Sequence, residues 1–329
     1  MPVETTRRIV IITGPTAVGK TALAVEVAKQ FPVRLISVDS GQVYRGLDLG
    51  TAKPSHALLK EYPHDLVDVR DITDVFSVVD FCSAATQAIN ESFESGIVPV
   101  LVGGTMFYIS ALLHGLDDVP PADQQLRYEL SQQGQLLGWP RMHEKLSALD
   151  PVSAERIDRN DPQRIQRALE IYILTKGDGS VWDRKMRFLP QNILVSRFVL
   201  AYSDRTLLHK RIVCRFDEML KAGLIEEVES LMGIPGVTAE LPAMKSVGYR
   251  QVLEYLRGEI DLATMRERAL SASRQLAKRQ LTWSRNTAGG IWLDAADPQV
   301  NTSVSRYLEQ VHYEPVSYTH LTLPTILLV

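Results

Sequence analysis

The chain predicts an α/β fold, a parallel-sheet core interrupted by an inserted all-helical domain. Three observations carry this expectation. The first is an unbroken G-x-x-x-x-G-K-T, Gly14-Pro15-Thr16-Ala17-Val18-Gly19-Lys20-Thr21, directly after the apolar run Ile9-Val10-Ile11-Ile12. Buried strand, glycine-rich turn and helix start, in that order, form the setting of a phosphate-binding P-loop, so the core reads as P-loop NTPase-like. The second is an alternation of strand-like and helical segments over the first hundred residues. The third is a polar, helical stretch that breaks this rhythm before a strand pattern returns.

Taken in order, the elements justify themselves locally. After Ile9–Ile12 comes a helical stretch from Thr21 to Phe31. The apolar runs Arg34–Val38, Leu66–Val69, Val98–Val102 and Phe198–Tyr202 read as further strands, and Val78–Phe93 as a helix between two of them. Residues 120–190 hold three helical patterns, Leu126–Leu137, Pro140–Leu149 and Pro162–Thr175, with no convincing strand. They are assigned to the inserted domain, and residues 1–119 and 191–314 to the core. Leu207–Met232 reads as one helix, followed by Gly248–Gly258 and Leu262–Arg285. The uncharged end, residues 315–329, has no helical period and is expected to be a non-native or disordered tail.

Composition excludes several classes. The 329 residues are 45% hydrophobic and 23% charged, the makeup of an ordinary globular chain with material for a large core. No apolar run approaches membrane-spanning length. Cys82 and Cys214 lack metal-ligand spacing, which points to a reducing cytoplasm and no structural zinc. The net charge of −3 conceals a local excess, six basic residues against one acidic between Arg266 and Arg285.

Several residues have types and positions suited to chemistry. In a parallel sheet, ligands gather at the carboxyl ends of strands. Asp39 stands at such an end, where a carboxylate can hold Mg²⁺, accept a proton or cap the following turn. Gly103-Gly104-Thr105 stands at another, as a second close-approach turn or as a plain connection with Thr105 capping a helix. Lys53 either adds positive charge to the mouth of the cleft or, as it reads in isolation, is a solvated surface lysine. Arg215 borders an apolar helical stripe, either as a salt-bridged edge residue or as a grip on an anion. Arg164 and Arg167 lie three apart at the start of one helix. Lys245, Arg250 and the cluster Arg274, Lys278, Arg279 and Arg285 add basic groups, with Tyr249 and Trp283 interleaved. Such a mixture suits a nucleic-acid backbone and an unstacked base, or is simply a solvated basic face.

These motifs together resemble the signature blocks of bacterial tRNA dimethylallyltransferases. The blocks are the P-loop, Asp39 to Pro54, Val102 to Thr105, Asp161 to Glu170, Ser246 to Gln251 and Arg274 to Trp283. The likeness runs from about Arg8 to Leu293, fitting poorly over Gly177–Arg197 and not at all beyond about Glu314. The resemblance implies transfer of a dimethylallyl group from its diphosphate to N6 of the adenosine 3′ of the anticodon, in the cytoplasm, by a monomer. It implies that Gly14 to Thr21 hold the diphosphate with Mg²⁺ at Thr21, and that Asp39, Thr105 and Arg215 are catalytic, Asp39 as the base. It assigns tRNA contacts to Asp39, Ser40, Gly41, Gln42, Arg127, Gln163, Arg164, Ile165, Gln166, Arg167, Lys245, Gly248, Tyr249, Arg250, Lys278, Arg279, Gln280, Trp283 and Arg285. A P-loop kinase of small molecules, a prenyltransferase acting on free adenylate and a non-catalytic RNA-binding protein are the competing classes. None of the three needs both the complete P-loop with Asp39 and the basic helix.

Overall fold

The computed structural model describes residues 7–190 and 192–313. It divides the chain into two units, one of the residues up to Leu112 and from Leu189 onward, the other Leu113–Phe188. The expectation for residues 315–329 lies outside the described residues.

The first unit is built on a six-stranded parallel sheet in the order β3-β2-β4-β1-β7-β8. β1 (Arg8–Thr13) is central, and Ile9 to Ile12 are fully buried. A β-branched run covered on both faces is the sequence form of an inner parallel strand. The P-loop follows, then α1 (Lys20–Gln30), β2 (Val33–Val38), α2 (His56–Glu61) and β3 (His64–Asp65). Next come α3 (Val78–Glu94), β4 (Val98–Gly103) and α4 (Met106–His114). α3 begins on a capping box: Asp80 N–H donates to Ser77 Oγ, and Ser77 N–H donates to the Asp80 carboxylate.

The second unit opens with β5 (Leu116–Asp117), followed by α5 (Gln124–Leu137), α6 (Trp139–Leu149), α7 (Pro151–Arg156) and α8 (Pro162–Leu174). Its core is Leu130, Met142, Leu146, Ala154, Ile165, Ala168 and Leu169, with Trp139 packed against it. α8 starts where expected, with Asp161 accepting from Arg164 N–H and Pro162 in the first turn. Besides its helices the unit holds a short antiparallel ribbon, β5 paired with β6 (Lys185–Met186).

The chain then re-enters the sheet as β7 (Leu194–Ala201) and continues through α9 (Arg205–Lys221), α10 (Leu224–Met232), α11 (Tyr249–Leu256) and α12 (Leu262–Asn286). It ends with β8 (Gly290–Asp294) and α13 (Val300–Tyr313). α1 and α13 cover one face of the sheet, with Leu23, Val27, Val304 and Leu308 in the same buried cluster as Val10, Ile12, Val100 and Phe198.

Three expectations change here. The strand read at Leu66–Val69 lies instead at His64–Asp65, because Leu66 and Asp68 take left-handed backbone angles (φ 64° and 55°) that no ladder accommodates. The single helix read over Leu207–Met232 is two helices, broken at Gly223 with φ 104°. Lys53 is no surface lysine. Its side chain is 2% exposed and its Nζ meets Asp48 Oδ1 at 2.6 Å, Asp68 Oδ1 at 2.5 Å and Tyr44 O at 2.9 Å. The turned backbone at Asp68 is what brings that carboxylate to Lys53.

Candidate active site

The carboxyl ends of β1, β2 and β4 meet in one cleft of about 390 Å³, lined among others by Thr16, Lys20, Thr21, Asp39, Gln42, Thr51, Arg211 and Arg215. The P-loop forms its floor. Gly14 has φ 147°, and a Cβ there would lie 2.2 Å from Leu200 O, so only glycine passes beneath β7. Ala17 is also left-handed (φ 66°), and Gly19 (φ 103°) leads into α1, whose N-terminus therefore faces the cleft.

Three side chains from later in the chain hold this loop. Arg215 Nη2 donates to Thr16 Oγ1 at 2.5 Å, Arg211 Nε donates to Ala17 O at 3.1 Å, and Thr16 N–H donates to Gln280 Oε1 at 2.8 Å. Arg215 is partly buried, and among the described residues no carboxylate forms an ion pair with it. That settles the sequence alternatives against a salt-bridged edge residue. Lys20 Nζ donates to Pro15 O at 2.9 Å. Burial, and next the Arg215 charge, push the Lys20 amine down from 10.5 to about 8, against the pull of Asp39. Burial also lowers Arg215, with Asp39 opposing and Arg211 adding. A desolvated lysine depressed by Arg215, and an arginine depressed by its own burial and by Arg211, make a site short of an anion.

In the same cleft, Asp39 Oδ1 accepts from Gly41 N–H at 2.8 Å and from Gln42 N–H at 3.2 Å. Asp39 therefore caps its own turn and still lines the cleft, so capping does not compete with chemistry. Thr105 Oγ1 accepts from Ser40 N–H at 3.2 Å, which ties the end of β4 to the end of β2. Gln42 is braced internally, accepting from Ser37 Oγ at 3.2 Å and donating to Thr51 O at 3.3 Å. Glu227 fixes the loop beyond: its carboxylate accepts from Leu49 N–H at 2.7 Å and from Tyr249 Oη at 2.6 Å. Arg211 and Glu227 were missed by sequence reasoning. Arg211 had a signal, standing one helical turn before Arg215 on the same face; Glu227 had none.

Mg²⁺ fits this donor set. The ion keeps waters and substrate phosphate oxygens and takes one or two protein oxygens. The Thr21 hydroxyl and the Asp39 carboxylate share the cleft. No group of three metal-binding side chains occurs among the described residues, and none is needed for an ion held that way.

The residues assigned to RNA fall into distinct groups. On α12 the basic run divides. Arg266 is paired bidentately with Asp217, and Arg268 with Glu254. Lys278, Arg279 and Arg285 are exposed, and among the described residues no carboxylate pairs with them. Trp283, 37% exposed, lies on the same stretch. Lys245 and Arg250 are exposed too. Tyr249 and Gly248 are instead buried, as is Gln280. All three are withdrawn from the surface on which direct contact with RNA was expected.

In the second unit, Gln163 and Arg164 are exposed, whereas Ile165 is fully buried in the core, which corrects its assignment as a contact. Arg127 and Arg167 converge on the buried Glu170, at 3.1 Å and 2.6 Å, and Gln166 Nε2 donates to Arg127 O at 2.6 Å. These three serve the unit's own polar network.

Residues 42–287 match the model of the IPP transferase family, most of the chain's length. The chain belongs to the IPP transferase family. Among its relatives, the tRNA dimethylallyltransferase of Thiobacillus denitrificans is 50% identical over 286 residues, 87% of this chain and 91% of the relative. That of Legionella pneumophila is 44% identical over 304 residues, 92% and 97% of the two chains. The crystal structure of a tRNA isopentenylpyrophosphate transferase from Bacillus halodurans superposes with a TM-score of 0.67 at 36% identity, covering 93% of this chain and 97% of that one. A eukaryotic dimethylallyltransferase captured acting on tRNA gives 0.74 at 26% identity, over 91% and 77%. As an IPP transferase, the chain shares the family's P-loop-like parallel-sheet core.

Proposed function

We propose that this protein transfers a dimethylallyl group from dimethylallyl diphosphate to N6 of the adenosine 3′ of the anticodon in tRNA, releasing pyrophosphate. The observation that carries the reading is a single cleft lined by Lys20, Thr21, Arg215 and Asp39, cations on one wall and a carboxylate on another, within a family whose relatives are named for this reaction.

The diphosphate sits on the P-loop, where the α1 N-terminus, Lys20 and Arg215 stabilise the charge that grows as the carbon–oxygen bond breaks. The Thr21 hydroxyl would help to hold a Mg²⁺, and the ion when bound would supply further charge neutralisation to the leaving group. The exocyclic amine is a weak nucleophile because its lone pair is delocalised into the ring. Asp39 accepts its proton as the new bond forms, oriented by the Gly41 and Gln42 amides. Thr105 positions the acceptor beside it. The base leaves its stack to reach the cleft. Lys278, Arg279 and Arg285 meet the phosphates of the anticodon stem-loop. In the second unit, taken by itself, the exposed Gln163 and Arg164 are suited to RNA phosphates. We expect a monomer acting in the cytoplasm; among the described residues no helix is long and apolar enough to cross a membrane.

The test is product analysis. tRNA incubated with enzyme, Mg²⁺ and dimethylallyl diphosphate is digested and its nucleosides are weighed. One dimethylallyladenosine beside the anticodon per pyrophosphate released is expected; an unmodified adenosine there, with donor consumed, contradicts the reading.

A further inference from the structure

Gln280 lies next to Arg279 on the RNA-facing stretch of α12, yet it is turned inward and 9% exposed. Its Oε1 accepts from Thr16 N–H and its Nε2 donates to Gly104 O, both at 2.8 Å. Thr16 is the P-loop residue that Arg215 holds, and Gly104 precedes Thr105, which is bonded to Ser40 beside Asp39. One side chain therefore joins the donor wall to the acceptor wall. A carboxamide offers an acceptor and a donor at one planar end, which these two backbone groups require. The fit is close: a Cβ on Gly104 would stand 2.4 Å from Nε2.

We propose that Gln280 is a positioning residue. Its carboxamide clips the P-loop to the Gly104–Thr105 turn and sets the spacing between the leaving-group cradle and Asp39. The inference rests on the proposed reaction, and it removes Gln280 from the direct RNA contacts. A displacement of about 1 Å between reacting groups costs on the order of 10²-fold in rate, so losing the clip lowers turnover while leaving RNA affinity alone.

The experiment compares Gln280→Met and Gln280→Glu with wild type from pH 5.5 to 8.5, using dimethylallyl diphosphate and an anticodon stem-loop RNA. Each rate is divided by the wild-type rate at the same pH. That cancels the titration of the charged groups around the clip, Arg215 and Lys20 on the P-loop side and Asp39 beyond Thr105, with Lys278 and Arg279 exposed on α12. For Gln280→Met we expect a kcat lower by about 10–100-fold at every pH, with stem-loop affinity unchanged. For Gln280→Glu we expect the same loss at high pH, where a carboxylate faces the Gly104 carbonyl, and recovery as pH falls. A protonated carboxyl accepts from Thr16 N–H and donates to Gly104 O as the amide does. Burial places the midpoint above the ~4.3 of a free glutamate.

A flat ratio for Gln280→Glu overturns the clip, and so does weakened RNA binding with kcat intact at saturation. A second route needs no substrate. Gly104→Ala lowers the melting temperature while Gln280 is present and adds little in a Gln280→Ala background; additive losses overturn the contact. A wild type that labels no RNA sinks the functional reading alone, since the melting cycle still decides the clip.

Discussion

On the proposed reading, the cleft and the exposed end of α12 are suited to the same chemical group, phosphate, by opposite means. The cleft offers a phosphate backbone amides, a helix N-terminus and two cations that no carboxylate among the described residues pairs with, on a loop held by Arg211, Arg215 and Gln280. α12 offers a phosphate long side chains whose availability depends on whether a carboxylate has already claimed them. Arg266 and Arg268 are claimed; Lys278, Arg279 and Arg285 have no carboxylate partner among the described residues. The same division separates α12 from the second unit, where Arg127 and Arg167 share Glu170. Position in a motif does not say whether an arginine's charge is already paired within the protein; the ion pairs do.

The largest expected effect falls in the cleft. Asp39→Asn keeps the size of the side chain and an oxygen for the turn amides but removes the proton acceptor. Turnover is expected to fall about 10²–10⁴-fold with stem-loop affinity retained. Filter binding alongside single-turnover transfer checks it, and lost affinity with intact turnover makes Asp39 a binding residue.

Lys20 comes next. Lys20→Ala is expected to weaken pyrophosphate binding by ~1.5–3 kcal/mol, measured by calorimetry. The pH dependence follows from its lowered amine. Below pH 8 the amine is charged with or without ligand, so Lys20 adds no pH dependence of its own. Above about 8 the free protein loses that proton and must recover it on binding, so wild-type affinity falls as pH rises. Lys20→Ala lacks that decline, and a decline that survives in it puts the titrating group elsewhere.

Lys278→Ala combined with Arg279→Ala tests the free end of α12. Each phosphate that no longer meets a cation lowers the log–log salt slope of stem-loop binding by about 0.7–0.9, nearly independently of base sequence. An unaltered slope returns this surface to a solvated basic face. Arg167→Ala sharpens the contrast from the other side. It leaves Glu170 with Arg127 as its remaining charge partner, so the expected loss is in folding stability, about 1–3 kcal/mol by urea unfolding, with a smaller change in salt slope than the α12 pair produces.

The donor cleft was legible because backbone binding imposes spacing: Gly14, Gly19, Lys20 and Thr21 can stand only where they do. β1, β2, β4 and β7 were legible as apolar runs. β8 was not, since Ile291-Trp292-Leu293 is a short apolar run that follows a long helix. Nor was β3, where left-handed Leu66 and Asp68 cut an apolar run short. Lys53 and Gln280 looked like surface groups because their partners, Asp68, Thr16 and Gly104, are set by tertiary packing. The motif blocks flagged Tyr249 and Ile165 as RNA contacts, but a motif does not distinguish a residue that touches RNA from one that supports a neighbour that does.

The central claim is that cleft and basic helix serve one reaction on one acceptor. It is tested most directly by offering labelled dimethylallyl diphosphate to the wild-type protein with tRNA, with AMP and with neither. The account predicts label in tRNA alone, falling as salt rises. Label in AMP at a rate equal to or above that in tRNA, or none in either, contradicts it.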